Sequence, residues 1–299
     1  MSRVLFSMKS KKLLFSVLIF VLAAIFALAS TADAADGVKR EKLSLKLAAS
    51  PGPYGDMFDE AIAPYLEKKY GYSVEVIEFT DGTAAHQALI SGEIDIAIIG
   101  HLFYENFLEK NLNEVFTPIV VVPTAGAGIY SKVYKSLSEL KEGDQIAIPS
   151  EASNQPRVLS MSEKAGLIKL NKEADPDLIT VSDITDNPLK LKFVEVDRYL
   201  LPQALDSVQL SIIYGNIAFA SGIDLSTALY PEDMIEDYKN CLVVYGPKVK
   251  EQYVKDIQEA ASSDEFKTVL NSAKYASFNR PLKAVPDKFY TDQGLKAPN

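Results

Sequence analysis

Residues 145–161 have the sequence QIAIPSEASNQPRVLSM, in which a short apolar run precedes a segment typical of a helix start. The run at residues 145–149 predicts a buried strand that ends at a proline. Asn154, like the two serines before it, offers a side-chain oxygen that can cap a helix. Pro156 suits the first turn, because the N–H that proline lacks would have no partner there. The pattern therefore predicts a strand, a loop and a helix that carries Arg157 in its first turn.

Arg157 is thus expected at the carboxyl end of a strand, where open α/β sheets bind their ligands. Unpaired N–H groups and the helix dipole favour an anion at such a place, and a guanidinium can bind a carboxylate through two hydrogen bonds. The alternative is an ordinary surface arginine, since a cation is mildly disfavoured at a helix N-terminus. The spacing alone leaves both alternatives open.

Strands and helices alternate on both sides of this stretch. A strand at residues 43–48 precedes a helix at 54–70, and the strand at 94–99 is nearly all apolar, as in a parallel sheet covered on both faces. Further strands follow at 191–196 and 208–214. This rhythm predicts an α/β fold with doubly wound sheets. The 299 residues suffice for two lobes of about 100–150 residues each.

Two more polar residues follow core strands in the way that Arg157 does. His101 comes after the strand at 94–99, and Asn216 comes after the strand at 208–214. Either residue could contact a ligand at such a strand end. The alternatives are a histidine that is hydrogen-bonded within its own loop and an asparagine that serves as a turn residue. The chain has only two histidines, and no carboxylates stand at the right spacing to complete a zinc site. We therefore expect no metal and no cofactor.

Charge and cysteine content exclude several classes of protein. The net charge is −9, and the first 34 residues carry +3, which leaves −12 for the remainder. A chain this acidic is a poor candidate for binding nucleic acid, which requires basic patches. The single cysteine, Cys241, excludes an intramolecular disulfide and a metal site built from cysteines. A buried thiol that packs as a small apolar group is the expected role of Cys241.

The N-terminus has the pattern of a secretory signal. Basic residues between positions 3 and 12 precede an apolar run of 17 residues, and Ala32-Asp33-Ala34 then provides a cleavage pattern. We predict a signal peptide at residues 1–34. An uncleaved anchor is the alternative, because the run is just short of the roughly 20 residues that span a bilayer. No cysteine lies near the cut, so we expect an exported, soluble periplasmic protein without a lipid anchor, membrane-associated only if the signal is retained.

Several separated stretches together resemble one known family, the solute-binding proteins of methionine ABC importers (NlpA or MetQ type). The resemblance covers about residues 43–290. The stretches that carry it are PGP at 51–53, EFTD at 78–81, SGEID at 91–95, GIYSK at 128–132, IAIP at 146–149, Arg157 with EKAGLI at 163–168, LPQAL at 201–205 and GN at 215–216. Each is weak alone, but their order and spacing are specific.

The resemblance implies a two-lobed periplasmic-binding-protein fold (type II-like) that closes on a free amino acid. One lobe would comprise residues 35–124 and 245–299, and the other would comprise residues 125–244. The protein would not be an enzyme. It would deliver methionine or a related small amino acid to the permease and ATPase subunits of an ABC importer.

The family pattern also implies the ligand-binding residues. Arg157 matches the arginine that holds the ligand carboxylate, and Asn216 and Asn240 match asparagines at the same polar end. His101 matches the histidine after the third strand. Replacing Arg157 by alanine is then expected to abolish binding with little loss of stability.

The chain departs from the family pattern at the side-chain end of the site. Gly82 stands where the family usually has a tyrosine, and Ile99-Gly100 stands where it usually has Phe-Gln. Those aromatic residues line the methionine pocket, and a sulfur–aromatic contact is worth roughly 0.3–1.5 kcal/mol. Restoring tyrosine at position 82 and phenylalanine at position 99 is therefore expected to raise the affinity for methionine.

Two other functions remain as alternatives. The first is an exported hydrolase on a similar α/β sheet, although the sequence has no G-x-S-x-G motif and no nucleophile paired with a base. The second is an interaction protein that has kept the fold and lost its ligand, which the altered side-chain pocket would allow.

Overall fold

A computed structural model describes residues 37–294 and residue 296. The predicted signal peptide lies outside the described residues. The strands are, in chain order, β1 (Ser44–Ala49), β2 (Ser73–Glu78), β3 (Ile96–Ile98), β4 (Phe116–Val121), β5 (Gly128–Tyr130), β6 (Gln145–Pro149), β7 (Lys169–Leu170), β8 (Ile184–Asp186), β9 (Lys192–Val196), β10 (Leu210–Ile213), β11 (Tyr230–Pro231) and β12 (Cys241–Tyr245).

The α-helices lie between these strands and after the last of them. They are α1 (Pro53–Ala61), α2 (Ala63–Tyr70), α3 (Gly82–Ser91), α4 (Leu102–Leu112), α5 (Gln155–Lys164), α6 (Leu201–Ala204), α7 (Gly215–Ala220), α8 (Gln252–Ala260), α9 (Asp264–Leu270) and α10 (Asp287–Thr291). None of the helices in the described part of the chain has both the length and the apolar character needed to cross a bilayer.

Each lobe is built on one five-stranded sheet. The first sheet has the order β2-β1-β3-β12-β4, with β1 parallel to β2 and β3 and with β12 antiparallel to β3 and β4. The second has the order β11-β5-β10-β6-β9, with β6 parallel to β9 and β10. The predicted two-lobed α/β fold is confirmed.

The segment expected to form one helix at residues 54–70 forms two, α1 and α2, which meet at Ile62. Pro64 lies in the first turn of α2. A proline inside a continuous helix would remove one hydrogen bond and clash with the carbonyl four residues earlier, whereas the first turn tolerates it. Gly71 then ends α2 in the left-handed conformation with φ 76°.

The strands leave the first sheet after β4 and return to it at β12. The apolar strand β12 is fully buried at Cys241–Val244 and pairs with both β3 and β4. The division expected from the sequence, with residues 125–244 in the second lobe, differs from this pairing, because β12 is an inner strand of the first sheet. We therefore propose that the second crossing comes before Cys241.

Candidate functional site

A cavity lies between the two sheets, at the ends of strands from both lobes. Its volume is about 60 Å³, well above the roughly 10–15 Å³ that a cavity needs to hold one water molecule. Its lining residues are Ser50, Tyr54, Ile99, Gly100, His101, Tyr104, Thr124, Ala125, Asn154, Arg157, Arg198, Tyr199, Tyr214, Asn216, Ile217 and Asn240. Strand ends from two sheets thus converge on one enclosed, mostly polar space.

Five of the six residues predicted for the site line this cavity, namely Arg157, Asn216, Asn240, His101 and Ile99. The sixth, Gly82, lies in a neighbouring groove with Thr80 and Tyr199. Tyr104 lines both the cavity and the groove. Gly82 is therefore separated from the cavity by a side chain that the sequence analysis did not consider.

Arg157 is buried and already has a carboxylate partner within the protein. Its Nε and Nη2 each donate a hydrogen bond of 2.7 Å to the two oxygens of Glu232. The backbone N–H of Ala127 donates a third bond, 2.8 Å long, to that carboxylate. The alternative of a surface arginine is thereby excluded. Glu232 fixes the plane of the guanidinium, as expected for a bidentate pair.

The two charges stabilise each other in the buried pair. Burial alone disfavours the charged guanidinium, but Glu232 raises the pKa of Arg157 above its ordinary value. Burial likewise opposes ionisation of Glu232, but Arg157 lowers the pKa of that carboxyl group. Both groups are therefore charged at neutral pH.

Asn154 does not cap the helix in the way that the sequence suggested. Helix α5 begins at Gln155 with Pro156 in its first turn, as predicted, but the Asn154 side chain makes no capping bond. It lines the cavity instead, as His101 of the opposite lobe does.

His101 is a buried, neutral histidine at the start of α4. Its Nδ1 accepts the backbone N–H of Tyr104 at 3.1 Å, so the ring proton lies on Nε2. The pKa of His101 is lowered to about 3, first by burial and then by the charge of Arg157. The ring therefore offers one donor to the cavity at physiological pH and adds no charge.

Folding is expected to be sensitive to acid through His101. Between pH 6.5 and about 3 the unfolded chain binds a proton on this ring that the folded chain does not bind. The free energy of unfolding should therefore fall as the pH drops, by up to about 1.4 kcal/mol per pH unit from this proton. In His101→Asn, which keeps an acceptor for the Tyr104 N–H, the decline should be less steep. Guanidinium chloride unfolding at several pH values between 4 and 7 measures both slopes.

His86 provides the matched control. It is fully buried, with Nδ1 2.7 Å from the carbonyl of Gly82 and Nε2 2.7 Å from Glu105. Burial alone would lower the pKa of His86, but Glu105 raises it above its ordinary value. The stability that His86 contributes is present below pH 6.5 and is lost as the pH rises, so His86→Asn should not flatten the decline in acid. If the free energy of unfolding falls equally steeply with pH in the wild type and in His101→Asn, the lowered pKa of His101 is not the cause of the acid sensitivity.

Asn216 is placed by a close approach of the two lobes. It lies in the first turn of α7, and Gly215 before it packs directly on the crossing segment. A Cβ atom on Gly215 would come within 2.4 Å of the backbone of Ala125 and Gly126. Only glycine allows this contact, which brings the asparagine amide to the cavity.

Asn240 reaches the cavity from the returning chain, directly before β12. Its backbone pairs with His101, and its N–H donates to the Thr124 hydroxyl at 2.8 Å. Within the described residues, the side-chain amides of Asn240 and Asn216 form no hydrogen bond with the protein. Both amides line the cavity and remain able to bind a polar ligand.

The aromatic wall that the sequence seemed to lack is supplied by Tyr104. A Cβ atom on Gly82 would lie 2.3 Å from the Tyr104 hydroxyl, and one on Gly100 would lie 2.3 Å from Cδ1 of the same ring. The Tyr104 ring thus occupies the space that larger residues at positions 82 and 100 would need. The Tyr104 ring is therefore the common neighbour of Gly82 and Gly100, two positions at which the chain departs from the family pattern.

Among the other cavity residues that the sequence analysis missed, three have side chains with unused hydrogen-bonding atoms. Ser50 and Tyr214 each place a buried hydroxyl without a hydrogen-bond partner in the cavity wall. Arg198 adds a second guanidinium. All three follow strand ends, namely those of β1, β10 and β9, so the rule that singled out His101 could have found them.

Comparison with known proteins places the chain in a family. The family model for NlpA lipoprotein matches residues 45–282. The D-methionine-binding lipoprotein MetQ of Escherichia coli K12 is 35% identical over 221 residues, which cover 71% of this chain and 79% of the relative. A nutrient-binding protein of Burkholderia cenocepacia, solved with methionine bound, superposes with a TM-score of 0.74 at 29% identity and covers 79% of this chain and 99% of its own. The chain belongs to the NlpA lipoprotein family.

Proposed function

We propose that this protein is an exported solute-binding protein of an ABC importer. It captures an amino acid, methionine or a related small one, between its two lobes and delivers it to the membrane permease. The names of the relatives support this function, since they are methionine-binding proteins. They give no support to a hydrolase or to an interaction protein without a ligand. We propose no catalytic residues.

The guanidinium of Arg157 is the observation that carries the proposal. Glu232 engages Nε and Nη2. Within the described residues Nη1 forms no hydrogen bond, although Arg157 lines the cavity. A guanidinium held by one carboxylate is pre-oriented to bind a second one, that of the ligand. Asn216 and Asn240 would bind the carboxylate or the amino group, and the ring N–H of His101 would donate to the carboxylate.

We also propose that the mature protein is periplasmic and carries no lipid. Many relatives are named lipoproteins, and lipidation requires a cysteine at the start of the mature chain. The single cysteine of this chain, Cys241, is fully buried in β12. Burial raises the pKa of this thiol well above its ordinary value, which leaves it unreactive.

A thermal-shift screen with the purified protein tests the function. An amino acid at 100 times its Kd should add about 2.7 kcal/mol to the free energy of unfolding. This corresponds to a rise in Tm of roughly 5–10 °C for a protein of this size. The matched amino alcohols, which lack the carboxylate, should give no rise. The proposal fails if no free amino acid raises the Tm, or if the amino alcohols raise it as much as the amino acids do.

A further inference from the structure

We infer that the ligand carries a second acidic group, which binds Arg198, so that this member of the family takes an acidic amino acid. This inference rests on the proposed function and deepens it by naming the class of amino acid. It begins from the composition of the cavity wall, which contains two arginines, Arg157 and Arg198, and no aspartate or glutamate. A wall of this kind favours a ligand with an excess of negative charge.

The two arginines are neutralised to different extents by the protein. Arg157 forms two bonds of 2.7 Å with Glu232. Arg198 has Glu151 as its nearest carboxylate, and the distance from Nε to Oε1 is 3.6 Å, which is too long for a hydrogen bond. The other oxygen of Glu151 is buried and has no hydrogen-bond partner. Arg198 thus forms a looser ion pair than Arg157 does, and within the described residues its Nε and Nη1 form no hydrogen bond, whereas Nη2 donates to the Thr80 carbonyl and to the Tyr199 hydroxyl.

The position of Arg198 directs these donors toward the cavity. Its Nη2 donates a hydrogen bond of 2.8 Å to the carbonyl of Thr80 in the opposite lobe, which holds the guanidinium across the cleft. The side chain is only 18% exposed. Tyr199, the next residue, stacks on the guanidinium with its ring centroid 5.0 Å from Cζ. Arg198 is thus a partly buried, oriented cation.

Tyr214 supports a ligand that spans the two arginines. Its hydroxyl is buried without a partner in the cavity wall that both arginines also line, and its ring centroid lies 5.5 Å from Cζ of Arg157. A buried hydroxyl that lacks a hydrogen bond costs stability unless a ligand supplies one. An acidic group between the guanidiniums would provide that acceptor.

The donors of Arg198 disfavour a methionine side chain at this end of the cavity. A thioether is a weak acceptor and cannot satisfy the Arg198 donors. A methionine side chain would leave this cation against an apolar group, whereas a short side chain with a carboxylate would pair with it.

Calorimetry with five compounds tests the inference, namely L-aspartate, L-glutamate, L-asparagine, L-methionine and succinate. The wild type should bind aspartate or glutamate at least about 10-fold more tightly than methionine. Arg198→Met should weaken binding of the acidic amino acid by about 10- to 100-fold, the range for hydrogen bonds to a charged group. Arg198→Lys should keep part of the preference. Lys132→Met, which removes an exposed cation of the second lobe, is the control and should change nothing.

The readout is the ratio of the affinities for the acidic amino acid and for methionine. Loss of the bond between Arg198 and Thr80 could hinder closure, but it would weaken every ligand alike and leave this ratio unchanged. If the wild type binds methionine tightly and Arg198→Met leaves the ratio of affinities unchanged, the inference is overturned and the proposed function stands. Stronger binding of asparagine than of aspartate also overturns the inference. Arg198-dependent binding of succinate without any amino acid overturns the amino-acid function instead. If none of the five compounds binds, the inference fails, and the thermal-shift screen with the remaining amino acids decides the proposed function.

Discussion

Replacing Arg157 by alanine is expected to abolish ligand binding and to lower the free energy of unfolding by about 3–5 kcal/mol. The first effect follows from the loss of the cation that holds the ligand carboxylate. The second follows from Glu232, whose side chain is only 5% exposed and would be left as an uncompensated buried charge. The expectation from the sequence, that stability would change little, is corrected by this pair. Calorimetry and urea unfolding measure the two effects.

A double variant separates binding from stability. In Arg157→Met with Glu232→Met both charges are gone, so no buried ion remains without a partner. Replacing a buried ion pair by apolar side chains is often neutral or stabilising. We therefore expect the double variant to recover most of the lost stability and none of the binding.

Two results would contradict this account of Arg157. If the single variant bound the amino acid with wild-type affinity, the carboxylate role would be wrong. If Glu232→Gln, which keeps the shape of the side chain, left the stability and the affinity unchanged, the buried pair would not orient the guanidinium.

The residues that the sequence identified share one property, a fixed topological position. Arg157, His101 and Asn216 each follow a core strand, and the ends of parallel strands must meet at one edge of a sheet. The convergence of Arg157 and Asn216, which follow the neighbouring strands β6 and β10, could therefore be predicted from the order of strands, whereas His101 follows β3 of the other sheet and reaches them because the two lobes face each other. Arg198 obeys the same rule, because it lies two residues after the end of β9, but the family pattern contains no arginine at this position.

Other parts of the site could not be predicted in this way. Glu232 lies 75 residues after Arg157 and follows a two-residue strand that has no periodic pattern. Its pairing with Arg157 depends on how the second lobe closes around α5. The role of Tyr104 depends on which direction its ring takes from α4, and a strand-and-helix pattern contains no information about that rotamer.

Gly82→Tyr is expected to reduce both stability and ligand binding, in contrast to the gain in methionine affinity that the family pattern suggested. Its Cβ alone would meet the Tyr104 hydroxyl at 2.3 Å and Ile99 at 3.0 Å. Either the Tyr104 side chain must adopt another rotamer and move into the groove that Gly82 lines, or α3 must shift. Overpacking of this kind typically costs about 1–3 kcal/mol. Thermal and denaturant unfolding measure the loss, and calorimetry measures the change in affinity.

Removing the Tyr104 ring should reverse the effect, since the tyrosine at position 82 could then occupy the vacated space. In Gly82→Tyr with Tyr104→Ala the cost in stability should be smaller than the sum of the two single changes, with a coupling energy of about 0.5–3 kcal/mol. Adding Ile99→Phe to this pair restores the aromatic residues typical of the family and should then raise the affinity for methionine.

The matched control is Gly92→Ala, which also alters a glycine at the end of α3 but meets no atom within 4 Å. Its φ of 79° predicts a loss of stability that Tyr104→Ala does not relieve. Additive effects at positions 82 and 104 would mean that Tyr104 does not replace the missing wall, because two residues that compete for one space cannot be energetically independent.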